Sequence, residues 1–181
     1  LTSSAASDVY KRQEINHVRD SSSHNEHANL TLIAKNQLGY KNLIKLISKS
    51  QIVGKTSGIP VIETEWLAEH SDGLIALSGG FRGHIGKAVL DTNHDLFLKR
   101  IKYFQKIFKE DFILEISRIN RPQEDIYNDY ILSKAGELGL PVVASNEVRF
   151  IDKEDYEAHE TRVCIQKGEV LSDARRTRSY F

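Results

Sequence analysis

The apolar residues of this chain recur with two periods. Asn29 to Ala34, Gly73 to Leu77, Asp111 to Ser117 and Val142 to Ala144 are short, compact runs that suit strands in a sheet. Between them the spacing lengthens. Tyr40, Leu43, Ile44 and Ile47 follow a helical period to Ser48, and Thr64 to His70 forms a short helix with Trp66 and Leu67 inward. Phe97, Ile101, Phe104 and Phe108 recur at intervals of four, three and four. That spacing predicts one apolar helix face, with Lys99, Arg100, Lys102, Lys106 and Lys109 on a basic, solvated remainder. Glu124 to Leu138 reads as a helix with Tyr127, Tyr130, Ile131 and Leu138 inward, stopped at Gly139.

Caps and breaks frame these elements. Thr92 with Asp95, and Asp152 with Asp155, carry the spacing of helix caps. The second pair opens a helix bearing Tyr156, Val163 and Cys164 and closing at Gly168. Gln51 to Pro60, with Gly54, Gly58 and Pro60, reads as a loop. Strand and helix alternate about four times, which predicts an α/β protein with right-handed crossovers and a parallel sheet covered by helices. The pattern leaves an open sheet and a barrel equally available.

The 181 residues are 40% hydrophobic, enough for one domain with a sizeable core. Twenty-five basic side chains balance 25 acidic ones, so overall charge offers no case for nucleic-acid binding. The single cysteine, Cys164, excludes an internal disulfide and a cysteine-based zinc site, and suits the reducing cytoplasm. No apolar run is long enough to span a membrane, and no secretory signal is evident. The chain starts at Leu1 and contains no Met. Residues 1–13 lack sustained periodicity and are expected to be adaptor or cloning-derived sequence, and residues 14–28, with Ser21-Ser-Ser23, a polar surface loop.

Candidate chemistry gathers where strands end. Asn146, Glu147 and Arg149 follow the last strand, and in α/β folds the carboxyl ends of strands are where sites form. Ser78-Gly79-Gly80 follows the second strand but lacks the Gly-Lys-Ser/Thr of a phosphate loop, so a tight turn is the better reading. His24 and His27 sit in the polar loop and read as solvated; His84 and His159 remain as stray ligand candidates, with His159, on a helix near Tyr156 and Val163, better read as a hydrogen-bonded packing histidine.

Four ordered segments resemble a known family. They are Leu30 to Leu43 (LTLIAKNQLGYKNL), Gly73 to Gly80 (GLIALSGG), Phe112 to Arg118 (FILEISR), and Val143 to Asp152 (VASNEVRFID) with Asp155 to Val163. Together they resemble the PHP (polymerase and histidinol phosphatase) domain, in the version carried by the alpha subunit of bacterial DNA polymerase III. The resemblance covers residues 29–181, expected as the C-terminal part of the domain, truncated at both ends. It implies an incomplete seven-stranded (β/α) barrel with parallel strands and helices outside.

An active domain of this kind holds metal ions on histidines and carboxylates, and the ions activate water and neutralise phosphate charge. The resemblance implies a histidine before the Leu-Thr-Leu strand, where this chain has Asn29. It implies another soon after Ser117, where Arg118-Ile119-Asn120 offers none, and an Asn-Asp-Val-His motif where Asn146-Glu147-Val148-Arg149 stands. Glu147 could still reach a metal; the guanidinium of Arg149 has no lone pair to give. Arg149 is instead expected to pair with Glu147 or Glu115 and replace the cation.

The expectation is thus a degenerate, non-catalytic scaffold within a replicative polymerase. Its implied partners are the rest of the alpha subunit, the proofreading exonuclease subunit, and DNA through the parent protein. No cofactor is expected in this segment. Magnesium would serve the parent polymerase, and zinc or manganese would matter only if the PHP site were active. The competing expectation is an active metal-dependent phosphoesterase or 3'-5' exonuclease.

Overall fold

A computed structural model describes residues 12–19, 27–56, 59–146, 148–176 and 178. Eight strands are described: β1 (Arg12–Arg19), β2 (His27–Ala34), β3 (Lys55–Thr56), β4 (Ile59–Pro60), β5 (Ile62–Glu63), β6 (Leu74–Leu77), β7 (Phe112–Ile116) and β8 (Val142–Ala144). Six helices accompany them: α1 (Gln37–Ile52), α2 (Thr64–Glu69), α3 (His84–Leu90), α4 (His94–Phe108), α5 (Glu124–Leu138) and α6 (Tyr156–Lys167).

Six strands form one sheet in the order β5-β1-β2-β6-β7-β8, and β3 and β4 pair as a separate small hairpin. From β6 onward the sheet is parallel, as alternating strands and helices require. The other half corrects the all-parallel expectation, because β2 runs antiparallel to both β1 and β6. Consequently the start of β2 lies beside the ends of β6 and β7. The first-to-last pairing that would close a barrel is not among the described strand pairs.

Residues 12–19 are the second correction. They were expected to straddle adaptor and polar loop, yet they pair with β2 from Arg12 opposite Ile33 to Arg19 opposite His27, with a register shift between Ile15 and Val18. A strand whose hydrogen bonds are supplied by a neighbour can tolerate a polar sequence, so local composition misjudged it. The expected loop at 51–60 likewise contains the β3–β4 hairpin.

The core lies between one face of the sheet and the helices. Leu30 and Leu32 of β2, Leu74 and Ala76 of β6, and Phe112 and Leu114 of β7 are all buried against it at alternate positions. Phe97, Ile101, Phe104 and Phe108 of α4 are buried together as their spacing requires, with Phe104 stacked on Phe112 at a centroid distance of 5.4 Å. Arg100, expected on the solvated side, is buried and donates from Nη1 to the carbonyl of His84 at 2.6 Å. In α1 the inward face is Gly39, Asn42, Leu43 and Leu46, whereas Tyr40 and Ile44 are exposed.

Helix ends follow side-chain chemistry. The cap of α4 is Asn93, which accepts from the Leu96 N–H at 3.0 Å, rather than the expected Thr92. Asp152 and Asp155 form the expected capping box, and the left-handed Gly139 and Gly168 end α5 and α6. After α6 the chain turns back, and Arg176 ion-pairs with Glu160 where both side chains are buried. That bond holds the Arg176 guanidinium above its ordinary pKa. β8, an apolar run whose composition suits a buried strand, is instead an edge strand with exposed Val142 and Ala144.

Candidate functional site

Strand periodicity sends some side chains away from the helices. Thr31 of β2 and Glu115 of β7 are each offset by one residue from a core position, and so face the opposite side of the sheet. Around them lies a small cleft of about 40 Å³ at the start of β2 and the ends of β6, β7 and β8. Asn29 and Thr31 form one wall, and Gly79, Gly80, Phe81 and Arg82 form a second. Glu115, Ser117, Arg121, Ser145 and Asn146 complete it.

The glycine turn sets the shape of this cleft. Gly79 and Gly80 both have positive φ, 78° and 55°, which suits residues without a Cβ. A Cβ on Gly79 would stand 2.0 Å from the carbonyl oxygen of Asn29, and one on Gly83 would stand 1.9 Å from that of Ser78. The turn therefore lies flat against the start of β2, where Asn29 and Gly83 form a parallel bridge. This is the tight turn that the sequence suggested.

Beneath the turn, polar groups are tied together. The Glu115 N–H donates to Ser78 Oγ at 2.9 Å, and the Tyr127 hydroxyl donates to the Glu115 carbonyl at 2.8 Å. Ser145 Oγ donates to the Glu115 carboxylate. One turn further on, buried Glu124 accepts from Ser117 Oγ at 3.0 Å and from the Ile119 N–H at 2.8 Å, while Asn128 donates to the Ser117 carbonyl. These bonds fix the loop from Ser117 to Gln123 against the start of α5, where an anionic side chain is also favoured by the helix dipole.

Tyr127 is 1% exposed. Burial pushes its phenol well above the ordinary value near 10; a hydrogen bond with Ser78 opposes the rise and the Glu115 charge adds to it. The folded chain therefore keeps this proton where the unfolded chain releases it. Stability from the group is complete below about pH 10 and declines as pH rises beyond that. Tyr127→Phe is expected to cost about 1 kcal/mol at neutral pH through the lost hydrogen bond. The variant should also lose up to about 1.4 kcal/mol per pH unit less than the parent above pH 10, measured by urea unfolding across pH.

The expected site residues separate in space. Asn29 lines the cleft. Ile119 is buried but outside the lining; its N–H donates to Glu124, which also accepts from the lining residue Ser117. Arg149 is exposed, whereas the Glu115 carboxylate, one of its expected partners, is buried and accepts from Ser145. Glu147 lies outside the described residues. His84 is buried near Phe104, and the His159 ring stands 5.6 Å from Phe150, both as packing groups. Thr31, Arg82, Arg121 and Ser145 were not foreseen; only the parity of β2 and the position of Ser145 just after β8 could have pointed to two of them.

A divalent ion needs several converging carboxylates or imidazoles. The described cleft supplies one carboxylate, already bonded by Ser145, and two arginines that add positive charge. That donor set does not fit a metal ion. Among the described residues no group of three or more His, Cys, Asp or Glu could hold one.

The family model of the PHP domain matches residues 7–119. The chain belongs to the PHP domain family. The match contains Asn29, Thr31, the glycine turn and Glu115, and it begins inside the segment expected to be adaptor. DNA polymerase III subunit alpha of Vibrio cholerae serotype O1 is 47% identical over 151 residues, which are 83% of this chain. The proteins of the same name from Escherichia coli K12 and Haemophilus influenzae are each 42% identical over 155 residues, or 86% of the chain. The chain spans 13% of the length of each of these curated relatives. No helix among the described residues is long and apolar enough to cross a membrane.

Proposed function

We propose that this PHP segment serves within a bacterial replicative DNA polymerase as a non-catalytic scaffold. It supports the polymerase body and docks the proofreading subunit, in the cytoplasm. Identity of 41–47% to DNA polymerase III alpha subunits along most of the chain supports the placement. Nucleotidyl transfer, with its magnesium and deoxynucleotides, would then belong to other parts of the subunit. The sheet would be one portion of a seven-stranded PHP barrel.

The observation that carries the non-catalytic reading is the lining of the cleft. Among the described residues, an amide at Asn29 and guanidinium groups at Arg82 and Arg121 surround a single carboxylate, Glu115. Positive side chains at a metal position oppose a cation by charge and offer it no lone pair. In this reading Ile119 and Arg149 also stand at or near lost ligand positions, and Glu147 pairs with Arg149 rather than with an ion. Calorimetric titration of the chain with zinc or manganese should give no stoichiometric binding, and no phosphate or nucleotide should be released from DNA ends or phosphate monoesters. Tight binding of one or more ions, with turnover, would establish the phosphoesterase alternative instead.

A further inference from the structure

A second concavity shares no lining residue with the cleft and differs from it in character. It is a groove of about 400 Å³ along α4, bordered by Thr64 at the start of α2. Its floor is Leu96, Tyr103 and Phe104, and its rim is Lys99, Lys102 and Lys106. The three lysines are exposed, and none has a carboxylate partner among the described residues. Arg100, which also lines the groove, is occupied by the His84 carbonyl and belongs to the core.

The arrangement is directional. Positions 99, 102 and 106 lie on one helix face and span about 10 Å along the axis. The apolar stems of these lysines extend the floor while their ammonium groups stay in water. Tyr103, 37% exposed, stands at the edge of the floor against Phe104 in an edge-to-face contact of 5.7 Å. On a chain of zero formal charge, this is a local concentration of positive charge around an apolar floor.

We infer that this groove along α4 docks an acidic amphipathic segment of a partner protein. The partner's carboxylates, spaced i, i+3 and i+7, meet Lys99, Lys102 and Lys106, and one large apolar side chain enters between Leu96 and Tyr103. A helix laid in an apolar groove with such anchors is a common mode of peptide recognition, and the complementary charges set its register and speed encounter. Single-stranded nucleic acid is the lesser match. Its phosphates would meet the lysines, but the floor offers only Tyr103 as an exposed stacking ring, where strand-binding surfaces array several.

The test is selection of a displayed random 16-residue peptide library on the immobilised chain, followed by fluorescence anisotropy of the enriched peptide. Enriched sequences should combine several acidic residues with one aromatic or leucine anchor. Lys102→Glu with Lys106→Glu should weaken the peptide about tenfold, and Tyr103→Ser should weaken it without changing the salt dependence. The lysines are exposed, so thermal melting of the lysine variant should be unaltered. Recovery of peptides without acidic character, or equal binding by the lysine variant, would overturn the proposal. So would stronger binding of a thymidine oligonucleotide lost in the same variant, which would make the groove a nucleic-acid surface. None of these outcomes depends on whether the cleft binds metal.

Discussion

Gly79→Ala should lower the stability of the chain by about 2–5 kcal/mol, far more than adding one methyl group ordinarily does. Two costs combine. A φ of 78° is the left-handed region, where an alanine is disfavoured by about 1–2 kcal/mol. The new Cβ would also stand 2.0 Å from the Asn29 carbonyl oxygen, which is backbone and cannot swing aside. Overpacking of that kind costs about 1–3 kcal/mol or more. Gly136→Ala is the matched control, since its Cβ would meet nothing within 4 Å and alanine favours the interior of α5. Urea unfolding should show a lower midpoint for the first variant and an equal or higher one for the second. Equal midpoints would mean that the turn does not press on β2 as described.

The same position shows how far the sequence could be followed. Ser78-Gly79-Gly80 after a strand was legible as a tight turn because the residues of a phosphate loop were missing. Its partner across the cleft was not legible as such. Nothing local to Asn29 says that β2 runs antiparallel to β6, and only that reversal brings Asn29 beside Gly79 and Gly83. Core positions were easier, because α4 and β7 obey their periods: Phe97, Phe104 and Phe112 are buried where their spacing puts them. Exceptions arose where neighbours decide. Val142 belongs to an apolar run yet lies on an edge strand, and Arg100, expected on the solvated side of its helix, is buried beside Phe97 and Phe104 and bonds a carbonyl there.

The candidate site divides along the same line. Asn146 could be selected as a polar residue at a strand end, Asn29 through the family resemblance and Glu115 as an expected partner of Arg149, and all three line the cleft. Arg82 and Arg121 come from the turn after β6 and the loop before α5, and no periodicity links them. Their presence changes the chemistry of the cleft more than any of the selected residues does, because they supply fixed positive charge around the Glu115 carboxylate.

Phe112→Ala should be the most damaging single truncation available near this site, at about 3–5 kcal/mol. Phe112 is fully buried, stacked on Phe104, and pairs with Ala76 at the start of the β6–β7 ladder. Three residues later the same strand carries Glu115, so the ring anchors the strand that presents the carboxylate. A domain of this size has a total stability of about 5–15 kcal/mol, so the variant would retain only part of it. Phe112→Leu keeps most of the volume and should cost less than about 1.5 kcal/mol. The pair should be compared by urea unfolding together with proteolysis in native buffer, where only the alanine variant should be cleaved rapidly. If both variants lost stability equally, the aromatic stack rather than the filled volume would be what holds β7 in place.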